Sequence, residues 1–217
     1  MKLVIMPGEG GKDAQLLAKD LYHSYLKALD GWLHRHGPEG QGYYIELKKP
    51  NENLKKEVGG HRFQRIPPTE RKGRVHTSSV KVALIDAKVE KTELRDSDLR
   101  VEWFSGTGKG GQHRNKHQCS CRLIHIPTGL VEVRQSRSRE SNYQEARQAL
   151  SNKLNLMDND TLSQLKTAQY KESGSGQRGD KIRTIRFQDN QAWDDRTGKI
   201  ISAKSYMNGG MKEFWND

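Results

Sequence analysis

Leu150, Leu154, Met157, Leu165 and Ala168 mark one face of a helical stretch from Ser141 to Glu172, the longest element the chain can form. If continuous, it runs roughly 45–50 Å at 1.5 Å per residue. Asp158-Asn159-Asp160 is a point where it can break, and Ser173-Gly174-Ser175-Gly176 stops it in what reads as a flexible hinge. The elements around it are short. Leu3 to Met6 is an apolar strand that ends at Pro7-Gly8-Glu9-Gly10-Gly11. From Asp13 onward, Ala14, Leu17, Leu21, Tyr25 and Ala28 recur at spacings of three and four and predict a helix. Gly31, Gly37-Pro38 and Gly40 to Gly42 read as a loop. Tyr43 to Leu47, His61 to Ile66 and Val80 to Ile85 read as strands. A charged connector, Asp86 to Asp98, suggests a boundary. Beyond it, Leu99 to Phe104, Arg122 to Ile126 and Leu130 to Val133 are expected strands, the last two joined by the Pro127-Thr128-Gly129 turn. A final strand, Lys181 to Phe187, precedes a polar tail. No internal repeat is present. The expected class is α+β: one small α+β unit, a second that carries a glycine-rich loop and the long helix, and a short return. The boundaries are drawn at residues 1–90, 91–172 and 173–217.

Charge narrows the partners. The 217 residues carry a net charge of +11 with only 32% hydrophobic residues. Such an excess favours polyanions, because lysine and arginine neutralise phosphates and release counterions. It is also unevenly placed. Residues 106 to 139 hold Lys109, Arg114, Lys116, Arg122, Arg134, Arg137 and Arg139 against one acid, Glu132. That segment reads as a phosphate-facing surface. No apolar run approaches membrane-spanning length, so no membrane partner is expected. The two cysteines, Cys119 and Cys121, are too close for an ordinary disulfide framework, which points to a reducing compartment, most simply the cytoplasm.

Residues 105 to 115 read Ser-Gly-Thr-Gly-Lys-Gly-Gly-Gln-His-Arg-Asn. Glycine tolerates positive φ and lets backbone approach a ligand, so Gly110-Gly111 can present bare N–H groups to an incoming centre. A mobile surface loop is the plain alternative. His113 has an intrinsic pKa suited to a proton shuttle, and equally suits an RNA-facing donor. His113, His117, Cys119, Cys121 and His125 do not have the spacing of a zinc site: Cys-x-Cys on a strand is no Cys-x-x-Cys knuckle. No metal and no cofactor are expected. No Ser-His-Asp or Cys-His nucleophile arrangement is evident.

Gly108-Lys109-Gly110-Gly111-Gln112-His113-Arg114-Asn115, with His125-Ile126-Pro127-Thr128-Gly129 and Arg137-Ser138-Arg139 downstream, resembles the Gly-Gly-Gln domain of class-I peptide chain release factors. Upstream, Gly60 to Glu70 and Gly73-Arg74-Val75-His76-Thr77-Ser78 are similar to the decoding segment of the bacterial-type branch that reads UAA and UAG. That branch has Pro-x-Thr in its selectivity loop, here Pro67-Pro68-Thr69, where the UGA-reading branch has Ser-Pro-Phe. Ser173 to Thr184 resembles the family's switch loop and following strand, and Pro7 to Asp13 the tip of its decoding helix. The resemblance covers essentially the whole chain and implies a discontinuous decoding domain plus a Gly-Gly-Gln domain with a long helix. It also implies a short form without the family's helical N-terminal domain. Two positions depart from the pattern: Asp13 stands where glutamate is usual, and Arg114 where an apolar residue is usual.

The resemblance implies a translation termination factor whose partners are the ribosomal decoding and peptidyl-transferase centres, the mRNA stop codon and the P-site peptidyl-tRNA. Gly110, Gly111 and Gln112 would serve catalysis: the glycines permit the backbone path, the Gln112 main-chain N–H stabilises the tetrahedral oxyanion, and the Gln112 amide admits water. The catalyst is shared with ribosomal RNA and tRNA, so the chain is not a free-standing enzyme. Lys109, Arg114, Lys116, Arg137 and Arg139 would bind RNA. Thr69, held by Pro67 and Pro68, would meet the first base with Gly10 and Asp13; His76 would stack below the second; Gln64 and Thr77 would face the third. A glutamine methyltransferase acting on Gln112 is a further implied partner. Two other readings remain in view: a codon-independent ribosome-rescue peptidyl-tRNA hydrolase, and a non-catalytic RNA-binding competitor.

Overall fold

A computed structural model describes residues 1–107 and 111–215, and the side chains of 113 and 114 are not part of that description. The chain is a mixed α/β protein that divides into two compact units, one of residues 1–87 with 165–217, the other of residues 88–164. The division falls inside the long helix rather than at its end.

The first unit is built on an eight-stranded sheet. In chain order its strands are β1 (Lys2–Pro7), β2 (Leu33–Glu39), β3 (Gly42–Leu47), β4 (Gly59–Arg65), β5 (His76–Ile85), β9 (Arg183–Arg186), β10 (Gln191–Asp194) and β11 (Ile200–Ser202). Their spatial order is β11-β10-β9-β4-β5-β1-β3-β2, antiparallel except for the β4–β9 pair. Helix α1 (Lys12–Ala28) buries Leu17, Leu21, Tyr25 and Ala28 against Leu3, Ile5, Ile45, Phe63, Val80, Val82 and Ile185. This is the apolar periodicity of three and four in use.

Two segments fold where the sequence reading had none. Leu33–Glu39 forms β2 and not a loop; as the edge strand it tolerates Pro38, which has no N–H to donate. The polar tail folds as well. After β10 and β11 come α4 (Ala203–Met207) and a 3₁₀ turn (Gly210–Phe214), which bury Tyr206, Met211, Phe214 and Trp215 in the core. These elements are too short to show a period.

In the second unit, β6 (Leu99–Phe104), β7 (Ser120–His125) and β8 (Val131–Arg134) form an antiparallel sheet. A short helix, α2 (Gly111–Lys116), occupies part of the expected glycine loop. Helix α3 (Arg139–Glu172) passes through Asp158-Asn159-Asp160 unbroken. Thr92 donates from N and Oγ1 to the Asp158 carboxylate at 2.7 and 2.9 Å. Its buried residues are Asn142, Ala146, Leu150 and Leu154, whereas Met157 and Leu165 are exposed. A six-residue strand covers about 20 Å, and Asn142 to Leu154 spans about 18 Å of helix, so the sheet can bury no more of it.

Candidate decoding and hydrolysis sites

In the first unit, β4 and β5 form a hairpin around residues 66–75. The register pairs Arg65 with His76, Gln64 with Thr77 and Phe63 with Ser78. Successive strand residues point to opposite faces. His76 therefore shares a face with Arg65, and Thr77 shares the other with Gln64. The loop is closed by its own hydrogen bonds. The Glu70 N–H donates to Pro67 O at 3.0 Å, a turn with Pro68 and Thr69 at its centre. Pro67 is buried, while Pro68 and Thr69 are exposed. The Glu70 carboxylate then accepts from the Lys72 N–H at 2.7 Å, from Arg74 Nη2 at 3.1 Å and from His76 Nε2 at 2.8 Å. The Lys72 N–H, with Arg74 and His76 behind it, holds Glu70 below the ordinary carboxylate value. Since a carboxylate only accepts, the His76 Nε2 carries its proton towards Glu70.

The tip of α1 reaches the same place. Gly10 has φ +130°, and a Cβ there would lie 2.4 Å from Ser78 Oγ, so only glycine fits the close approach. Asp13 is turned inward. Its Oδ1 accepts from Arg65 Nε at 3.0 Å and Nη2 at 2.8 Å, and its Oδ2 accepts from Ser78 Oγ at 2.7 Å. Arg65 and Ser78 were not singled out from the sequence; their place directly beside Gln64 and Thr77 was the available signal. Gly10, Gly11, His76, Thr77, Ser78 and Arg178 line an open cleft of about 560 Å³. Arg178 belongs to the segment after α3. Its N and Nε each lie 3.4 Å from Glu9 Oε2, while Ser79 Oγ donates to Gly176 O at 2.7 Å. Eight residues expected at one recognition surface, Gly10, Asp13, Gln64, Pro67, Pro68, Thr69, His76 and Thr77, thus stand on three adjoining segments, with Asp13 committed to internal partners.

Gln64 is held from its other side. Its Oε1 accepts from Arg186 Nε at 2.6 Å, an arginine absent from the sequence reading.

In the second unit Gly111 has φ +82° and opens α2, with Gly111, Gln112 and Lys116 exposed. The first turn of a helix leaves backbone N–H groups without partners inside it. Arg137 is exposed, and its Nη2 lies 3.8 Å from where a Gly111 Cβ would stand. The Arg139 guanidinium lies over the Trp103 ring at 4.0 Å. Lys109 and Gly110 fall outside the described residues, as does the side chain of Arg114. Asn142, also missed, pins the site's surroundings. Its Nδ2 donates to Cys119 O at 2.7 Å and Ser136 O at 3.2 Å, and its Oδ1 accepts from the Ser136 N–H at 2.8 Å. Glu132, the lone acid of the basic segment, is engaged by Arg134 and Lys153. Among the described residues no group of three or more metal-ligating side chains converges, and no helix is long and apolar enough to cross a membrane.

Two family models cover the chain, the PCRF domain over residues 1–82 and the RF-1 domain over residues 87–196. Peptide chain release factor 1 of Carboxydothermus hydrogenoformans is 36% identical over 213 residues, covering 91% of this chain and 59% of the relative. That of Endomicrobium trichonymphae is 35% identical over 229 residues, covering 98% and 64%. Among solved structures, RF2 of Thermus thermophilus matches with a TM-score of 0.51 at 26% identity, over 99% of this chain and 66% of that one. The chain thus spans about 60% of the length of the curated relatives it matches.

Proposed function

We propose, since the chain belongs to the class-I peptide chain release factor family, that it recognises the UAA and UAG stop codons on the ribosome and triggers hydrolysis of the P-site peptidyl-tRNA ester. The carrying observation is the β4–β5 register, which pairs Gln64 with Thr77 on one face while His76 stands on the other, beside the cleft lined by Gly10. A flat ring on one face, next in sequence to a hydrogen-bonding pair on the other, suits a triplet whose second base stacks on His76 and whose third base is turned to Gln64 and Thr77. The exposed Thr69 hydroxyl and the Gly10 backbone serve the first base. Asp13 holds Arg65 and Ser78 in position for them.

At the other centre, hydrolysis requires a donor for the oxyanion of the tetrahedral intermediate, in a place where water replaces an amine. The reading assigns that donor to the Gln112 main-chain N–H, the backbone path to Gly110 and Gly111, and the exclusion of larger nucleophiles to the Gln112 amide. Lys109, Arg114, Lys116, Arg137 and Arg139 supply phosphate contacts. The exposed Gln112 amide is also the acceptor for a glutamine methyltransferase. In this reading residues 1–90 and 173–217 form the decoding domain and 91–172 the hydrolysis domain, working in the cytoplasm without a cofactor.

A codon-panel release assay tests this. Purified chain is added to ribosomes carrying labelled peptidyl-tRNA opposite UAA, UAG, UGA or a sense triplet. Release at UAA and UAG alone is expected. Efficient release at UGA removes the codon assignment, and equal release at a sense triplet removes decoding altogether.

A further inference from the structure

We infer that Arg186 fixes the orientation of the Gln64 side-chain amide and thereby biases which purine is preferred at the third codon position; this rests on the proposed function, in which Gln64 and Thr77 face that base. β9 runs parallel to β4 with Arg186 in register with Gln64, and β5 runs antiparallel on the other side with Thr77 opposite Gln64. Side chains in register on neighbouring strands share a face, so Thr77, Gln64 and Arg186 form one row. Within it Arg186 Nε donates to Gln64 Oε1 at 2.6 Å.

The chemistry of the pair leaves one orientation. A guanidinium has five N–H donors and no acceptor, so the amide atom that meets it is the oxygen. A flipped amide would set its NH₂ against an N–H. The Gln64 NH₂ is therefore turned away from Arg186, and the strand on the far side of Gln64 carries Thr77. The guanidinium is itself restrained: its Cζ lies 5.0 Å from the centre of the Trp193 ring, and its Nη1 lies 3.7 Å from Asp189 Oδ2.

Adenine and guanine differ at position 6, where adenine carries an N6 amino donor and guanine an O6 acceptor. An amide free to rotate satisfies either purine. An amide pinned with its NH₂ outward satisfies O6 of guanine and opposes N6 of adenine, donor against donor. The Thr77 hydroxyl, which donates or accepts, keeps adenine acceptable. Arg186 is thus a positioning residue that tilts recognition towards UAG.

Release kinetics on UAA- and UAG-programmed ribosomes test the inference, with the half-saturating concentration and kcat read separately for the unaltered chain, R186M, R186K and R186Q. The unaltered chain is expected to half-saturate at lower concentration on UAG than on UAA. R186M and R186Q, which free the amide, lower the UAA-to-UAG ratio of half-saturating concentrations about two- to tenfold, the range of one neutral hydrogen bond. In both, kcat stays unchanged. R186K, still a pure donor, keeps the original ratio. A ratio unmoved in R186M and R186Q, or an unaltered chain that prefers UAA, overturns the inference. Failure of the unaltered chain to release at either codon overturns the proposed function instead, so the two failures are distinguishable.

Discussion

At Gly111 the cost of a side chain is decided by the backbone, not by space. Among the described residues, a Cβ would meet nothing nearer than Arg137 Nη2 at 3.8 Å, an ordinary contact, but φ is +82°. A residue with a Cβ pays roughly 1–2 kcal/mol to hold such a conformation, and it shifts the N–H that follows. Truncating Gln112 leaves that N–H in place. One oxyanion donor is worth ~2.7–4 kcal/mol, which is about a hundred- to thousandfold in rate. G111A is therefore expected to lose about that factor in peptide release from stop-programmed ribosomes, and Q112A clearly less. Equal or reversed losses would remove the main-chain N–H from the proposed role.

At the scale of elements, the start of α3 is tied to the strands by Asn142. This one buried amide bridges Cys119 O before β7 and both backbone groups of Ser136 after β8. N142A leaves three backbone groups short of a partner, at roughly 1–3 kcal/mol for each one left unsatisfied in the interior. Denaturant unfolding of the chain should show a loss in that range or above. Hydrogen exchange should quicken in β7 and β8 while β4 and β5 stay protected. Loss of protection spread evenly over both sheets would contradict the local role. In the basic segment Glu132 is engaged by Arg134 and Lys153, while Arg137 and Lys116 are exposed.

For the whole first unit, the organising group is Glu57. Fully buried, it accepts from Tyr25 at 3.0 Å, His61 at 3.3 Å, Arg183 at 2.7 Å, Tyr206 at 3.3 Å and Trp215 at 3.0 Å. These five donors come from α1, β4, β9, α4 and the chain's last described residue. Burial alone would raise the Glu57 pKa, yet the His61 hydrogen bond and the Arg183 charge outweigh it and bring the carboxyl down to about 2. Burial also depresses the His61 pKa below the ordinary histidine value. Both shifts are downward, so both contribute stability that is present above the unfolded values and lost on acidification. The melting temperature should begin to fall below about 6.5, where an unfolded histidine gains its proton. It should fall again from the ordinary carboxylate range towards about 2. H61Q should remove the first descent. A melting temperature that rises between pH 7 and 5 would reverse the sign and refute the account.

Local pattern was enough for much of this molecule. The periodicity of Leu17, Leu21 and Tyr25 found α1, short strand-like runs found β1, β3 to β8 and β9, and the glycine and proline motifs marked both candidate sites, because those signals lie within a few residues of one another. What stayed out of reach depends on residues distant in the chain. Pro38 lies in a strand only because β2 is the sheet's edge, and the tail folds against a core and a buried acceptor, Glu57, that are supplied by residues far away in the chain. Met157 and Leu165 are exposed because the three-stranded sheet is shorter than the helix. Arg186 meets Gln64 across a parallel pairing that no short-range pattern encodes. Side-chain period is a property of neighbours, whereas burial, register and the choice of hydrogen-bond partner are settled only when strands far apart in the chain are laid side by side.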